Sequence, residues 1–400
     1  MFPEKTAIEW QALAERGMRG AAFETLTHMT EDGLNRGPLF DADARPQAIV
    51  RLDGEPAPLL EGRAWHICAM VEDEDHGYAN QQLLKDLTGG ASAVRFGNTT
   101  ISRRADLKRV LEGVYLNLVP VVFAPGSAAA PFAPGTEELY DTPVTLGLDP
   151  LGERPSIPEQ WTPFTIAAAA IHDDGGDDTL ELAVFAATLA EALRRHGPTI
   201  AGNIAVELAC GTDAHLVAVK LRAARRLALA IFQAFDIKTG GLPLHAISSQ
   251  RMMQSADAWT NLLRTQSAGL GAVWGGADFI ALRPFTDTPP EHALGKPTPF
   301  ASRLARNQQL LMMEESHLGQ VRDPAYGSYF HERLTEDLAQ AAWAEFQNIE
   351  ASGGIEAFRA NGALQSRIEA AIETRADRGD PILGLTLYPA EDVRKPEVRT

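Results

Sequence analysis

Glu72-Asp73-Glu74-Asp75-His76 places four carboxylates and an imidazole in one run, the residue types that hold a divalent cation. Consecutive acids project in divergent directions, so a solvated turn is the simpler reading. His66 and His245 stand singly in apolar stretches, without the paired His-x-His of a hydrolase barrel's first strand, so a metallohydrolase is set aside. His172 follows Ala168-Ala169-Ala170-Ile171 and precedes Asp173-Asp174-Gly175-Gly176; from its neighbours alone it reads as a loop histidine bonded to Asp173 or Asp174. Lys220, Arg222 and Arg225 fall at helical spacing and read as outer-face ion pairs. Cys68 and Cys210, in apolar surroundings without metal-ligand spacing, read as buried thiols in a reducing compartment.

The chain that must position these groups has 400 residues, a formal charge of -17 and a pI near 5.0. That balance argues against nucleic acid or an anionic membrane as partner, because phosphate binding needs clustered cations. Met1-Phe2-Pro3-Glu4-Lys5 lacks a basic region followed by an apolar run, and no uncharged apolar stretch is long enough to span a bilayer. A cytoplasmic protein is expected.

Residues 1–60 read as an N-terminal arm with one amphipathic helix, 6–17, between Gly- and Pro-punctuated segments. From residue 64, short β-rich runs alternate with helical periodicity. Candidate strands are 64–71, 91–96, 117–124, 143–148, 163–171, 201–209, 242–248 and 278–283. Helices are expected at 78–88, 103–112, 178–196, 213–235, 255–272 and 300–316, whereas the connections after the third and fourth strands hold Gly, Pro and Ala. The fold class is α/β: a (β/α)8 TIM barrel over 61–330, partly degenerate, with a C-terminal helical extension over 331–400. In that extension a helix over 335–351, capped by Thr335 and stopped by Gly353-Gly354, precedes another over 355–377. The small side chains of Thr165-Ile166-Ala167-Ala168-Ala169-Ala170 suit a hollow barrel axis, or a collapsed one if facing strands carry large residues.

A series of segments in order, from Lys220-Leu221-Arg222-Ala223-Ala224-Arg225 through Asn261-Leu262-Leu263-Arg264-Thr265 and Gly275-Gly276-Ala277-Asp278 to Arg303-Leu304-Ala305-Arg306-Asn307-Gln308, carries a resemblance. It continues with Glu314-Glu315-Ser316, Asp323-Pro324-Ala325-Tyr326-Gly327-Ser328-Tyr329-Phe330 and Ile349-Glu350 before Gly353-Gly354, with a weaker likeness at Phe2-Pro3-Glu4-Lys5. The series resembles the substrate barrel of the methylmalonyl-CoA mutase family, cobalamin-dependent acyl-CoA mutases, and most of all their small, non-catalytic (beta) subunit.

The resemblance implies a barrel that threads acyl-CoA along its axis and an adenosylcobalamin held on a separate flavodoxin-like domain marked by Asp-x-His-x-x-Gly. No such domain is expected within these residues: the nearest match, Asp213-Ala214-His215-Leu216-Val217-Ala218, has Ala where Gly belongs and reads as a helix cap. Where catalytic members carry Trp-x-x-Arg-Gln-Tyr on the first strand, this chain has Trp65-His66-Ile67-Cys68-Ala69-Met70, and Met lacks the phenol's donor. The family's polarising His falls on Ala170 if the Gly turn and Glu181-Leu182-Ala183 set the register, with His172 then matching a His also found in small subunits. A two-residue gap would instead make His172 the catalytic candidate.

Near the fourth strand Asp149-Pro150-Leu151-Gly152 follows the small-subunit pattern, and Arg154 there reads as a surface residue, not a carboxylate binder. Arg264, Arg303 and Arg306 could reach CoA phosphates or form structural salt bridges. The expected function is the non-catalytic small subunit of a heteromeric methylmalonyl-CoA mutase-type isomerase. It would bind no cofactor itself and would stabilise a catalytic subunit whose cobalamin domain carries adenosylcobalamin, with the arm as principal contact and acyl-CoA as a possible ligand. The alternatives are a catalytic acyl-CoA-binding subunit served by a separate cobalamin protein, and a stand-alone acyl-CoA-binding or assembly protein.

Overall fold

In the computed structural model the described residues are 6–44, 63–97, 101–238, 241–389 and 391–399. Phe2-Pro3-Glu4-Lys5 and the last part of the expected arm lie outside them. Eight parallel strands close in sequence order: β1 His66–Val71, β2 Ala93–Phe96, β3 Val121–Phe123, β4 Val144–Leu148, β5 Thr162–Ala167, β6 Ile204–Cys210, β7 Leu244–Ser248 and β8 Phe279–Ala281, which pairs back to β1. The expected (β/α)8 barrel is therefore present. Strands buried on both faces read as apolar runs because helices cover the outside and neighbouring strands the inside.

One long helix follows β1, β2, β6, β7 and β8: α2 His76–Thr88, α3 Arg104–Leu111, α6 Ala214–Ala234, α7 Asn261–Trp274 and α8 Pro299–Leu310. After β3 there are only short 3-10 turns, and after β4 no helix, as the Gly- and Pro-rich connections implied. Gly147 shows why β4 tolerates no larger residue at that point. Its φ is +65°, and a Cβ there would lie 2.2 Å from the Phe123 carbonyl oxygen.

β5 departs from expectation. It stops at Ala167, and residues expected to finish the strand form a helix, α4 Ala168–Asp173, before α5 Asp178–His196. The alanine run permits this, having the best helix propensity and no β-branched bulk to favour a strand.

Outside the barrel, α9 Tyr329–Ala351 packs against α5 and α6, followed by α10 Gly354–Ala360 and α11 Ala363–Arg378. Gly353 and Gly354 both have positive φ, giving the expected left-handed stop. The expected Thr335 cap is corrected: α9 begins six residues earlier behind Ser328, and Thr335 is buried, accepting from Arg222 Nη1 at 2.8 Å. The expected helix over 355–377 is two helices, divided at Gly362 with φ +81°.

At the N-terminus, α1 Ala7–Gly17 is closed by a capping box between Thr6 and Glu9, and it buries no residue. Ile8 is 80% and Leu13 63% exposed, while Trp10 meets Phe23 edge-on at 5.9 Å. Further on, the arm lies on its own chain, on the α6 cap and the outer helices: Arg36 pairs with Asp213, Glu31 with Arg375 of α11, and Phe40 packs on Phe330 of α9 at 5.4 Å.

Candidate functional site

Alternation along the strands sends His66, Cys68 and Met70 of β1 inward, with Ala93 and Arg95 of β2 and Ala205, Glu207 and Ala209 of β6. Arg95 donates to Glu207 Oε2 from Nη2 at 2.7 Å and from Nε at 3.2 Å, crossing the barrel as a buried ion pair. Beside it Cys68, Ala93, Val122, Ala169, Ala209, Ile247, Phe279 and Ala281 form one apolar cluster with Met70 against it. Phe279 stacks on His66 and meets His245 at a tilt of 52°, each ring centroid 4.7 Å away. Large side chains therefore cross the axis, as in the second of the two arrangements the small residues allowed, while Cys68 and Met70 also border a cavity toward Tyr78 and Arg306. Ala167, at the C-terminal end of β5, stays exposed at the mouth.

Sequence reasoning missed Arg95 and Glu207. The available signal was a lone charge in each of two otherwise apolar strands, of opposite sign; such charges stay buried only when paired.

His172 sits on α4 with its ring buried, so it is neither a loop residue nor bonded to Asp173 or Asp174. Its Nδ1 lies 3.3 Å from Asp178 Oδ1 and 3.6 Å from Glu181 Oε2, off the line of a hydrogen bond to either. Lys220 of α6 donates to the same two carboxylates at 2.8 and 2.6 Å. Burial, reinforced by the Lys220 charge, pulls the His172 pKa down to about 4, leaving it neutral. Burial pushes Glu181 up to about 7, while Asp178, despite burial, is held below its ordinary value by Lys220. His172, Asp178 and Glu181 stand close enough to ligate one metal ion. The Lys220 ammonium already occupies the centre of that group, so the arrangement is a buried salt-bridge cluster. Ala170, the other candidate position, is exposed on α4.

Asp173 is engaged elsewhere, accepting from Ser249 Oγ at 2.6 Å and Gln250 N at 3.0 Å. Glu181 also accepts from Ala209 N at 2.8 Å, tying α5 to β6.

The cations of α6 are not on an outer face, which corrects the expectation. Arg222 is buried under α9, donating to Glu332 from Nη2 at 2.7 Å and pairing with Asp323 at 3.2 Å. Arg225 donates to the Gly276 carbonyl at 2.5 Å and to Asp278 at 3.2 Å. A helix facing solvent with respect to the barrel is here covered by a second layer, so its charges must pair.

The acidic run is a turn with Glu72, Glu74 and Asp75 exposed, as expected, and it is tied down at several points. Asp75 caps α2, Asp73 pairs with Arg399 at 2.7 Å, and His76 approaches Asp106 at 3.6 Å. Arg306 pairs with Asp86, Arg264 donates to Asn261 and the Leu383 carbonyl, and Arg303 lies over the Phe300 ring at 5.4 Å. Burial raises both Cys68 and Cys210 to about 12, leaving unreactive thiols.

The cobalamin-ligand motif can be tested on its nearest match. Asp213 caps α6 by accepting from His215 N and Leu216 N, and His215 Nδ1 lies 3.0 Å from His331 Nε2 between Trp274 and Phe330. That imidazole is engaged within the protein, and these residues do not fit a lower cobalt ligand.

Fold and site together define a closed, all-parallel (β/α)8 barrel with a buried ion pair and an apolar cluster across its axis. The family model described as methylmalonyl-CoA mutase matches residues 156–399. The methylmalonyl-CoA mutase small subunit of Streptomyces virginiae is 34% identical, over 97% of this chain and 71% of that protein. The small subunit of Propionibacterium freudenreichii subsp. shermanii is 30% identical, over 100% of this chain and 71% of its own length. A probable small subunit of Mycobacterium tuberculosis (strain ATCC 25618 / H37Rv) is 34% identical over 78% of this chain, which spans 56% of that relative. The chain belongs to the methylmalonyl-CoA mutase family. No described helix is long and apolar enough to cross a membrane.

Proposed function

We propose that this chain is the non-catalytic small subunit of a heteromeric methylmalonyl-CoA mutase-type isomerase, and that it stabilises a catalytic partner. The observation that carries the reading is likeness to proteins named small subunit over nearly the whole chain. The barrel supports it: Met70 stands where a phenol would be needed, and the Arg95–Glu207 pair and the His66, Phe279 and His245 rings cross the path an acyl-CoA arm would take. Adenosylcobalamin, which supplies the radical chemistry when bound, belongs on the partner in this reading. His172 acts here in a salt-bridge cluster, not on substrate. The two buried thiols suit a reducing cytoplasm.

The test is co-expression with a catalytic mutase subunit carrying a cobalamin domain. One-to-one co-elution is expected, with turnover of methylmalonyl-CoA only when that partner is present. Turnover by this chain with only a detached cobalamin-domain protein would overturn the proposal in favour of a catalytic acyl-CoA-binding subunit.

A further inference from the structure

The arm doubles back between His28 and Arg36. Thr30 N donates to Leu34 O at 2.8 Å and Arg36 N to His28 O at 2.7 Å, and the loop so formed presents Glu31 and Asp32 to the barrel. Glu31 finds cations: it pairs with Arg375 of α11 and lies 3.7 Å from Arg251. Asp32 does not. Its Oδ1 is buried with no hydrogen-bond partner.

What faces Asp32 is mostly negative. Asp177 at the α5 cap, Asp178 of α5 and Glu31 on its own loop oppose its charge, and Lys220 favours it. Lys220 is already bonded to Asp178 and Glu181, and Asp177 is taken by the α5 cap and by Arg367 at 3.3 Å. Beneath them His172 is uncharged, and Asp173 adds another carboxylate near Arg251. Six carboxylates (Glu31, Asp32, Asp173, Asp177, Asp178, Glu181) therefore meet five cations (Lys220, Arg251, Arg367, Arg375 and Arg378), and Arg378, which donates to the Met29 and Thr30 carbonyls, is itself shared with Asp380. A buried excess of like charge is relieved most cheaply by a bound proton.

We propose that residues 28–36 form a proton-controlled latch on the chain's own barrel, docked while Asp32 holds a proton within this carboxylate cluster and loosened when that proton leaves. Burial first, then Asp178, hold docked Asp32 well above its ordinary 3.8. Docking therefore takes up a proton. Its full strength is present below about 3.8 and is lost as pH rises toward the docked value, roughly tenfold in the docking constant for each pH unit between the two.

Hydrogen exchange on the whole chain, corrected for intrinsic rates, reads the latch at the Thr30, Leu34 and Arg36 amides. Protection in the wild type should fall as pH rises from 4 to 9, levelling off once the docked carboxyl has lost its proton. Asp32→Asn, which keeps the shape of the protonated acid, should stay docked with protection changing less than about twofold. Glu31→Gln should weaken protection at both pH values and keep the slope. A flat wild type, an Asp32→Asn variant that falls alongside it or is undocked throughout, or loss of the slope in Glu31→Gln would each overturn the latch.

Discussion

Arg95 on β2 and Glu207 on β6 meet 2.7 Å apart across the barrel axis, both buried, so each compensates the other for lost water. Removing one leaves an uncompensated charge inside the barrel. Arg95→Met and Glu207→Leu are each expected to cost about 3–5 kcal/mol in urea unfolding, whereas the double variant should recover most of that loss. Equal, additive losses would show that the two side chains act independently.

The two shifts at the His172 cluster act in opposite directions on stability. Glu181, raised to about 7, binds more proton folded than unfolded, so its contribution is full below about 4.5 and is lost as pH rises toward 7. His172, lowered to about 4, binds less, so its contribution is full above about 6.5 and is lost as pH falls toward 4. Between pH 5 and 6.5, Glu181→Gln should therefore make stability rise more steeply with pH than in the wild type, and His172→Gln less steeply. Each slope change is bounded by one proton, about 1.4 kcal/mol per pH unit. Urea midpoints at the two pH values check the signs.

Substituting His172 also separates structure from chemistry. In a complex with the catalytic subunit, His172→Gln should leave turnover within about twofold, since the imidazole lies under α4 against carboxylates. A polarising group would supply about 10²–10³ in rate through its transition-state hydrogen bond, and a loss of that size in kcat at unchanged complex formation would put His172 in the active site.

At the arm, Arg36 and Phe40 pack on the chain's own α6 cap and α9, and α1 leaves Ile8 and Leu13 the most exposed large apolar residues of the described arm. The partner contact expected of the arm is therefore tested at α1. Replacing Ile8, Trp10 and Leu13 together by Ser should weaken co-elution with the catalytic subunit at least tenfold, with circular dichroism of this chain unchanged. Undiminished affinity would move the contact elsewhere.

Equilibrium dialysis with adenosylcobalamin should show no saturable micromolar binding by this chain of 400 residues, because His215 is engaged with His331. One-to-one binding would overturn the assignment of the cofactor to the partner.

By itself the sequence determined the barrel and its order, because β-rich runs alternating with helical periodicity are local patterns that survive without knowledge of neighbours. It also revealed the reduced wall after β3 and β4, and the family, whose signature segments lie in order along the chain. Those segments prove to be tertiary ties: Arg222 reaches Asp323 and Glu332, Arg225 reaches Gly276, and Arg264 reaches Leu383. Only the tertiary structure decided that these cations are buried, since helical spacing shows which residues share a face but not that α9 covers it. Likewise the alanines after Ala167 could serve strand or helix, and packing chose the helix that buries His172. Arg95 and Glu207 stand 112 residues apart, and their pairing became visible only when the closed sheet placed β2 and β6 on opposite walls of one axis.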